Sequence, residues 1–324
     1  MPLLCNWRNT VLFNGGIGHH IRMNSISSEE KARLMKLATY ASTSVALTLI
    51  ICKMVAWLMT DSVSLMATLI DSCLDALASI INLVAVRHAL APADKQHRFG
   101  HGKAEALAGL GQATFITGSA LFLLLEAISH FWNPQPISEM PVGVAIMVVS
   151  IVATYGLMMF QQHVINKTDS TAIKADRLHY KTDLLVNGSV IIALLLAYYG
   201  WAGFDPLFAL LIAGYILYSA WEIVQESLGL LMDREMPDED RQKIKAIVRG
   251  HPKALGMHDL RTRTSGMTIF IQLHLELDDS LTLMQAHTIS DEVEALLLAE
   301  YPGAEIIIHE DPASLVEQHP EFAE

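Results

Sequence analysis

Long apolar stretches, separated by short polar breaks, occupy residues 33–228 of the chain. Each stretch is long enough to cross about 30 Å of hydrocarbon as an α-helix. Helix-breaking residues separate several of them, as in Asn133-Pro-Gln-Pro136 and Asp205-Pro206. The pattern therefore predicts six transmembrane helices, at about 33–59, 62–90, 104–131, 141–164, 173–200 and 206–228.

The period of the apolar positions changes after residue 231. Ile and Leu occupy every second position of residues 269–277, which is the period of a strand with one covered face. Met236–Asp240 combines Pro with acidic residues, which is typical of a helix start. This segment predicts an α+β domain of order αββαβ, an open sheet with helices on one face. Its expected elements are a helix ending near residue 250, strands at about 257–264 and 267–277, a helix at about 282–300 and a strand at about 304–310.

These two patterns divide the chain into four expected parts. Residues 1–24 form an N-terminal tail or extension, and residues 25–232 form the six-helix transmembrane domain. Residues 233–311 form the αββαβ domain, and residues 312–324 form a C-terminal tail. The predicted fold class is thus an α-helical membrane protein with an appended α+β domain.

Composition and charge support this division. The chain is 52% hydrophobic and 17% charged, which is too apolar for an ordinary soluble protein. The predicted loops at 60–61, 132–140 and 201–205 contain no Lys or Arg, whereas the opposite flanks contain many. The positive-inside rule therefore places both termini and the α+β domain in the cytoplasm.

The net charge of -12 belongs mainly to the C-terminal part, where residues 233–324 contain 19 acidic and 8 basic residues. Such a domain gives no reason to expect nucleic acid as a partner. Its acidity would attract cations, but a solvated surface explains it equally well. The three cysteines form no motif and predict no disulfide framework.

Two pairs of ligand-type residues lie within predicted membrane helices. Asp71 and Asp75 are spaced i,i+4 in the second helix, and His179 and Asp183 have the same spacing in the fifth. Residues at i and i+4 share one helix face, so two packed helices would bring four N and O donors together. That is the number of ligands in a tetrahedral zinc site. A single Asp could instead form interhelical hydrogen bonds, but paired ionisable residues inside a membrane indicate function.

A second candidate metal site lies in the loop between the second and third helices. Asp94, His97 and His101 follow one another at spacings of three and four residues. Three such ligands with water would make an open site. A simple polar loop remains the alternative.

A third cluster belongs to the α+β domain. His309 and Asp311 are two residues apart on a predicted strand and so share a face, while His274 lies on the polar face of its own strand. So many histidines on an uncovered sheet face favour metal binding over scattered surface residues. The candidate ligands are His251, His258, His274, His287, His309 and Asp311.

Three functional classes can be compared with these features: a membrane metalloenzyme, a zinc sensor and a secondary metal transporter. A Walker A motif, a GxSxG elbow and an HExxH motif are absent, so nucleotide-driven transport within this chain is not expected. A membrane metalloenzyme would need an open coordination position for water, which a filled four-ligand site does not provide. A zinc sensor would leave the intramembrane Asp and His residues unexplained. A secondary metal transporter explains all three clusters, so the chain is not expected to be an enzyme.

The chain resembles the cation diffusion facilitator family, and most of all its bacterial zinc/proton antiporters. The resemblance runs from about Ser25 to Asp311 and includes the two intramembrane pairs, the HRFGHGKAE run at 97–105 and the His-rich C-terminal domain. It implies a homodimer in the bacterial inner membrane that exports zinc, with cadmium and ferrous iron as further cargoes, in exchange for protons.

The same resemblance assigns roles to particular residues. It implies a metallochaperone-like cytoplasmic domain that holds zinc in a structural or regulatory role. The ligands it implies there are His258, His274, His287, His309 and Asp311. Lys103 and Asp233 match a pair that links the membrane and cytoplasmic parts, and Leu178 matches a hydrophobic gate.

Overall fold

The structure is a computed structural model and describes residues 27–60, 63–132, 141–198 and 205–315. The predicted N-terminal tail, most of the C-terminal tail, the break at 133–136 and most of the predicted loop at 201–205 lie outside these residues. Six long helices form at the positions of the predicted apolar spans. They are α1 (Ser28–Thr60), α2 (Val63–Ala89), α3 (Lys103–Trp132), α4 (Pro141–Thr168), α5 (Thr171–Tyr198) and α6 (Asp205–Leu231).

Four of these helices, α1 to α4, are long and apolar enough within the described residues to cross a membrane. Their outer faces carry large apolar side chains, such as Leu58, Phe122 and Val152, that are exposed in the described part of the chain. Exposed apolar surface of this extent is expected where lipid is the solvent.

Small residues allow the helices to approach closely. α3 and α6 make the most extensive helix contact, and α1 packs mainly on α2. Ala113 and Ala120 of α3 and Ala220 of α6 are fully buried in the cluster that joins α3, α5 and α6. In a membrane, where apolar burial gives little driving force between helices, such close packing supplies much of the association energy.

The C-terminal domain has the predicted order αββαβ. Its elements are α7 (Asp238–Arg249), β1 (Gly256–Ser265), β2 (Thr268–Leu277), α8 (Leu283–Glu300) and β3 (Glu305–Pro312). The sheet order is β1-β2-β3, with β1 antiparallel and β3 parallel to the central β2.

One face of this sheet forms the core, as the period-two pattern predicts. Ile271, Leu273 and Leu275 of β2 are buried in one cluster with Val248 of α7 and Val293 of α8. Because side chains alternate across a strand, His274 and Glu276 lie on the opposite face. The helices therefore cover the apolar face and leave the histidine face open.

The transmembrane helices and the C-terminal domain meet at one interdomain contact. It is defined by Gly102, Lys103, Asp233, Arg263 and Gly266. Lys103 Nζ lies 3.0 Å from an Asp233 carboxylate oxygen, the pair that the family resemblance implies. Gly266, in the turn between β1 and β2, has a φ of 58° and lies against the Cα of Gly102. A side chain on Gly102 would meet the Ser265 carbonyl oxygen at 2.2 Å. Only glycine fits this approach.

Aromatic stacking extends the same contact. The Arg263 guanidinium lies 3.9 Å from the ring centre of Phe270, which is buried on the open face of the sheet. The Phe270 ring packs edge-on against Phe99 from the α2–α3 loop, with 5.9 Å between ring centres. The loop that carries the second candidate metal site is therefore in direct contact with the C-terminal sheet.

Candidate metal sites

The intramembrane cluster forms where α2 faces α5. Ligand atoms of Asp75, His179 and Asp183 lie within 4.8 Å of one another. His179 Nε2 is 3.1 Å from Asp75 Oδ1 and 4.0 Å from Asp183 Oδ2. Asp71 lies one turn before Asp75 in α2, but its side chain is outside the described residues. Three of the four predicted donors thus converge on one point.

The His179 side chain is buried between these carboxylates. Within the described residues, its Nε2 makes no hydrogen bond of good geometry, although Asp75 Oδ1 lies 3.1 Å away. The next residue fixes this part of α5, because the Tyr180 hydroxyl donates to the Ser42 carbonyl at 3.0 Å and lies 2.9 Å from Ser79 Oγ. A bound cation is one explanation for a buried nitrogen that lies beside carboxylates without a hydrogen bond.

A buried carboxylate one turn before His179 was not among the sequence candidates. Asp176 is fully buried and accepts hydrogen bonds from Gln161 Nε2 of α4 at 2.7 Å and Gln112 Nε2 of α3 at 3.5 Å. Asp176 therefore links α3, α4 and α5 through hydrogen bonds beside the cluster. Its spacing of three residues from His179 is the one sequence signal that could have indicated it.

The three candidate ligands of the loop also lie close together. Ligand atoms of Asp94, His97 and His101 lie within 4.8 Å of one another, and Asp94 Oδ2 is 3.3 Å from His101 Nε2. The backbone N–H groups of His97 and Gln96 donate to Asp94 Oδ1 and lower the pKa of this carboxyl group. The side chain of His101 is buried, and its Nδ1 has no hydrogen-bond partner among the described residues. The site thus contains an ionised carboxylate and a buried imidazole.

The third cluster lies on the open face of the C-terminal sheet. The nearly buried Asp311 carboxylate is 2.7 Å from His274 Nδ1, 3.4 Å from His258 Nε2 and 3.2 Å from His309 Nε2. His258, His274 and Asp311 have ligand atoms within 4.8 Å of one another. His309 is adjacent but mostly exposed. One acid surrounded by three imidazoles is a donor set that suits zinc.

The predicted ligand His287 lies apart from this cluster. It is on α8 with 65% of its side chain exposed, and its nearest carboxylate, Asp291, is 3.7 Å away. Within one chain, His287 therefore lies away from the other candidate histidines.

Two acidic neighbours of the sheet cluster were missed from the sequence. Glu276 Oε1 is 2.9 Å from His258 Nδ1, and Asp259 Oδ2 is 3.9 Å from His274 Nε2. Glu276 could have been found, because it is two residues from His274 on the same strand face. Asp259 lies at a bulge in β1 with a φ of 46°, and no local pattern predicts such an irregularity.

Comparison with known proteins places both parts of the chain. Residues 39–232 match the family described as cation efflux transmembrane domain, and residues 236–313 match the cation efflux protein cytoplasmic domain. The cation-efflux pump FieF of Klebsiella pneumoniae subsp. pneumoniae is 49% identical over 289 residues, which are 89% of this chain and 96% of that protein. The proteins of the same name from Serratia proteamaculans and Yersinia enterocolitica are each 50% identical over 285 residues, 88% of this chain and 95% of theirs.

Proposed function

The chain belongs to the cation efflux, or cation diffusion facilitator, family of transporters, which are not enzymes, and we propose that it exports Zn²⁺ from the cytoplasm in exchange for protons. Cadmium and ferrous iron are the further cargoes of this proposal. In this proposal the protein lies in the bacterial inner membrane, with six spans and with both termini and the C-terminal domain in the cytoplasm.

The observation that carries the proposal is the convergence of Asp75, His179 and Asp183 where two membrane helices face each other. With Asp71, they make the proposed transport site. An imidazole together with carboxylates suits Zn²⁺, whereas a site made only of oxygen donors suits Mn²⁺ or Mg²⁺ better. The mixed nitrogen and oxygen donor set therefore supports Zn²⁺ as the cargo.

Exchange with protons follows from the chemistry of the same ligands. Metal binding needs deprotonated carboxylates and a neutral imidazole, so binding releases protons and protonation releases metal. Because the same imidazole and carboxylate atoms bind either metal or protons, the two cargoes compete for one site. Rocking of helices around a site near the membrane midplane would expose it to each side in turn.

The remaining clusters are proposed as resident zinc sites. Asp94, His97 and His101 would hold an ion in the loop, and His258, His274, His309 and Asp311 would hold zinc on the sheet. A homodimer accounts for His287, because this exposed residue is available to a neighbouring chain although it lies apart from the cluster of its own. These ions would stabilise the contacts around them without taking part in the exchange.

Reconstitution into liposomes that contain a zinc-sensitive dye tests the proposed function. With an imposed pH difference, the unmodified protein is expected to accumulate zinc against its gradient. Asp75→Asn removes one anionic ligand and is expected to reduce transport to the level of empty liposomes. Cys73→Ala changes an exposed neighbour on the same helix and is expected to transport normally.

Two results would contradict the proposal. Zinc-coupled proton flux in the Asp75→Asn protein would show that the cargo binds elsewhere. A rate of zinc transport by the unmodified protein that does not depend on the pH difference would exclude proton exchange.

A further inference from the structure

The loop cluster has a neighbour that neither the sequence pattern nor the family comparison includes. His88 lies in the last turn of α2, and its ring packs edge-on against the His101 ring, with 4.5 Å between ring centres. The His97 ring lies at almost the same distance from His101, 4.6 Å, from another direction. His101 is therefore in contact with two other imidazoles beside the Asp94 carboxylate.

From this geometry we propose that His88 is a fourth ligand of the loop site, which would then be a closed Asp-His-His-His zinc site. Two imidazoles that bind one zinc ion through bonds of about 2.0–2.1 Å hold their ring centres roughly 5 Å apart. Both observed ring separations are close to that value.

The flexibility of His88 allows it to complete the site. Its side chain is exposed, so its two torsions can turn the ring without displacing a packed neighbour. Its backbone is fixed, because the Ala91 N–H donates to the His88 carbonyl where α2 ends. The other three ligands already have their ligand atoms within 4.8 Å of one another, so only the exposed residue has to move.

The fourth ligand changes what the site does. Three protein ligands leave an open position for water, as in catalytic or exchangeable sites, whereas four protein ligands are typical of structural zinc. A closed site would join the end of α2 to the loop that packs on the C-terminal sheet through Phe99. The loop ion would thus connect the helix that carries Asp75 with the cytoplasmic domain.

The test is metal titration of the full-length protein in detergent, in an Asp75→Asn/His274→Gln background that removes the other two clusters. Co²⁺ serves as the probe, because its visible absorption distinguishes four-coordinate tetrahedral sites from more open ones. The parent is expected to bind one ion with strong tetrahedral bands, and His101→Gln is expected to lose it.

His88→Gln is the decisive variant. It is expected to weaken Co²⁺ binding by at least about tenfold, a loss that even the partner of a ligand can cause when removed, and to weaken the tetrahedral bands. The control, His163→Gln, changes an exposed histidine on α4 and is expected to match the parent. An unchanged affinity and spectrum in His88→Gln would overturn the proposal, and so would the absence of an ion sensitive to His101→Gln. Neither result bears on zinc export, because the background variant does not need to transport.

Discussion

The single imidazole in the proposed transport cluster is the residue on which cargo selection is proposed to depend. His179 is the one nitrogen donor among Asp75, His179 and Asp183, which have converging ligand atoms. Nitrogen and oxygen ligands together favour Zn²⁺, while carboxylates alone favour harder ions. Selectivity should therefore follow the identity of this residue.

His179→Asp is expected to shift transport preference from zinc toward manganese, because the site would then contain only oxygen donors. Competition between the two ions in liposomes measures the shift. His163→Asp, which adds the same charge at an exposed position on α4, should retain the original preference. Unchanged selectivity in His179→Asp would remove the proposed role of the imidazole.

Gln161 contributes to stability through its contact with the buried Asp176. Gln161→Ala removes the hydrogen bond that the amide donates to Asp176 Oδ2 and leaves this oxygen less satisfied in a dry interior. The expected cost is about 1–3 kcal/mol of unfolding free energy. Thermal unfolding in detergent measures it.

The neighbouring Gln162 provides the control for that experiment. It bonds to Asn166 on the outer side of α4, so Gln162→Ala should lower stability by less than about 1 kcal/mol. Equal losses in the two variants would argue against a special contribution from the Asp176 contact.

Residue spacing predicted part of the candidate site and could not predict the rest. Asp75, His179 and Asp183 were found because i and i+4 share a helix face. Asp176 was missed because its spacing of three residues from His179 is the one local signal, while the amides that bind it come from other helices. His88 was missed for the same reason, since its neighbour His101 is 13 residues further along the chain.

At the scale of helices and strands, the hydrophobic periods gave reliable information. The six apolar stretches correspond to α1–α6, and the alternation in 269–277 correctly predicted which face of β2 is covered. The membership in the cation efflux family confirms the resemblance. The bulge at Asp259 and the seating of the hairpin turn on Gly102 could not be predicted, because both depend on contacts between distant segments.

Gly102→Ala is expected to disturb the contact between the start of α3 and the β1–β2 turn. The added carbon would lie 2.2 Å from the Ser265 carbonyl oxygen, so the backbone must shift. A cost of about 1–3 kcal/mol is expected, together with faster proteolysis of the turn.

Gly111→Ala is the matched control, in helix α3, which begins directly after Gly102. A side chain there meets nothing within 4 Å, and alanine is the better helix former, so stability should stay the same or rise by up to about 1 kcal/mol. If the two variants were equally stable and equally resistant to proteolysis, the close glycine approach would not matter for the fold.

At the scale of the whole molecule, the three candidate metal clusters form a connected series. The proposed transport cluster lies between α2 and α5, the loop cluster follows α2, and the loop packs through Phe99 on Phe270 of the sheet that carries the third cluster. Lys103 and Asp233 reinforce this contact, although their exposure limits the pair to about 1 kcal/mol or less. Packing therefore dominates the connection.

If the sheet cluster senses zinc, His274→Ala should move the activation of transport to higher zinc concentrations. Transport rate against cytoplasmic-side zinc in liposomes measures this. Gln272→Ala, two residues away on the same face of β2, is the control and should leave the curve in place. A superimposable curve for His274→Ala would mean that this cluster serves only to stabilise the domain.

The polar row along α5 has a consequence for how the protein is made. Lys174, Asp176, Arg177, His179 and Asp183 lie in its first half, and within the described residues α5 is not among the helices apolar enough to cross by themselves. Charged groups at a bilayer centre are costly unless neighbours satisfy them. Gln112 and Gln161, which satisfy Asp176, belong to segments that leave the ribosome earlier. If α5 spans the membrane as proposed, translation order lets it enter a bilayer that already contains its partners, and a chain circularly permuted to begin at α5 should insert poorly.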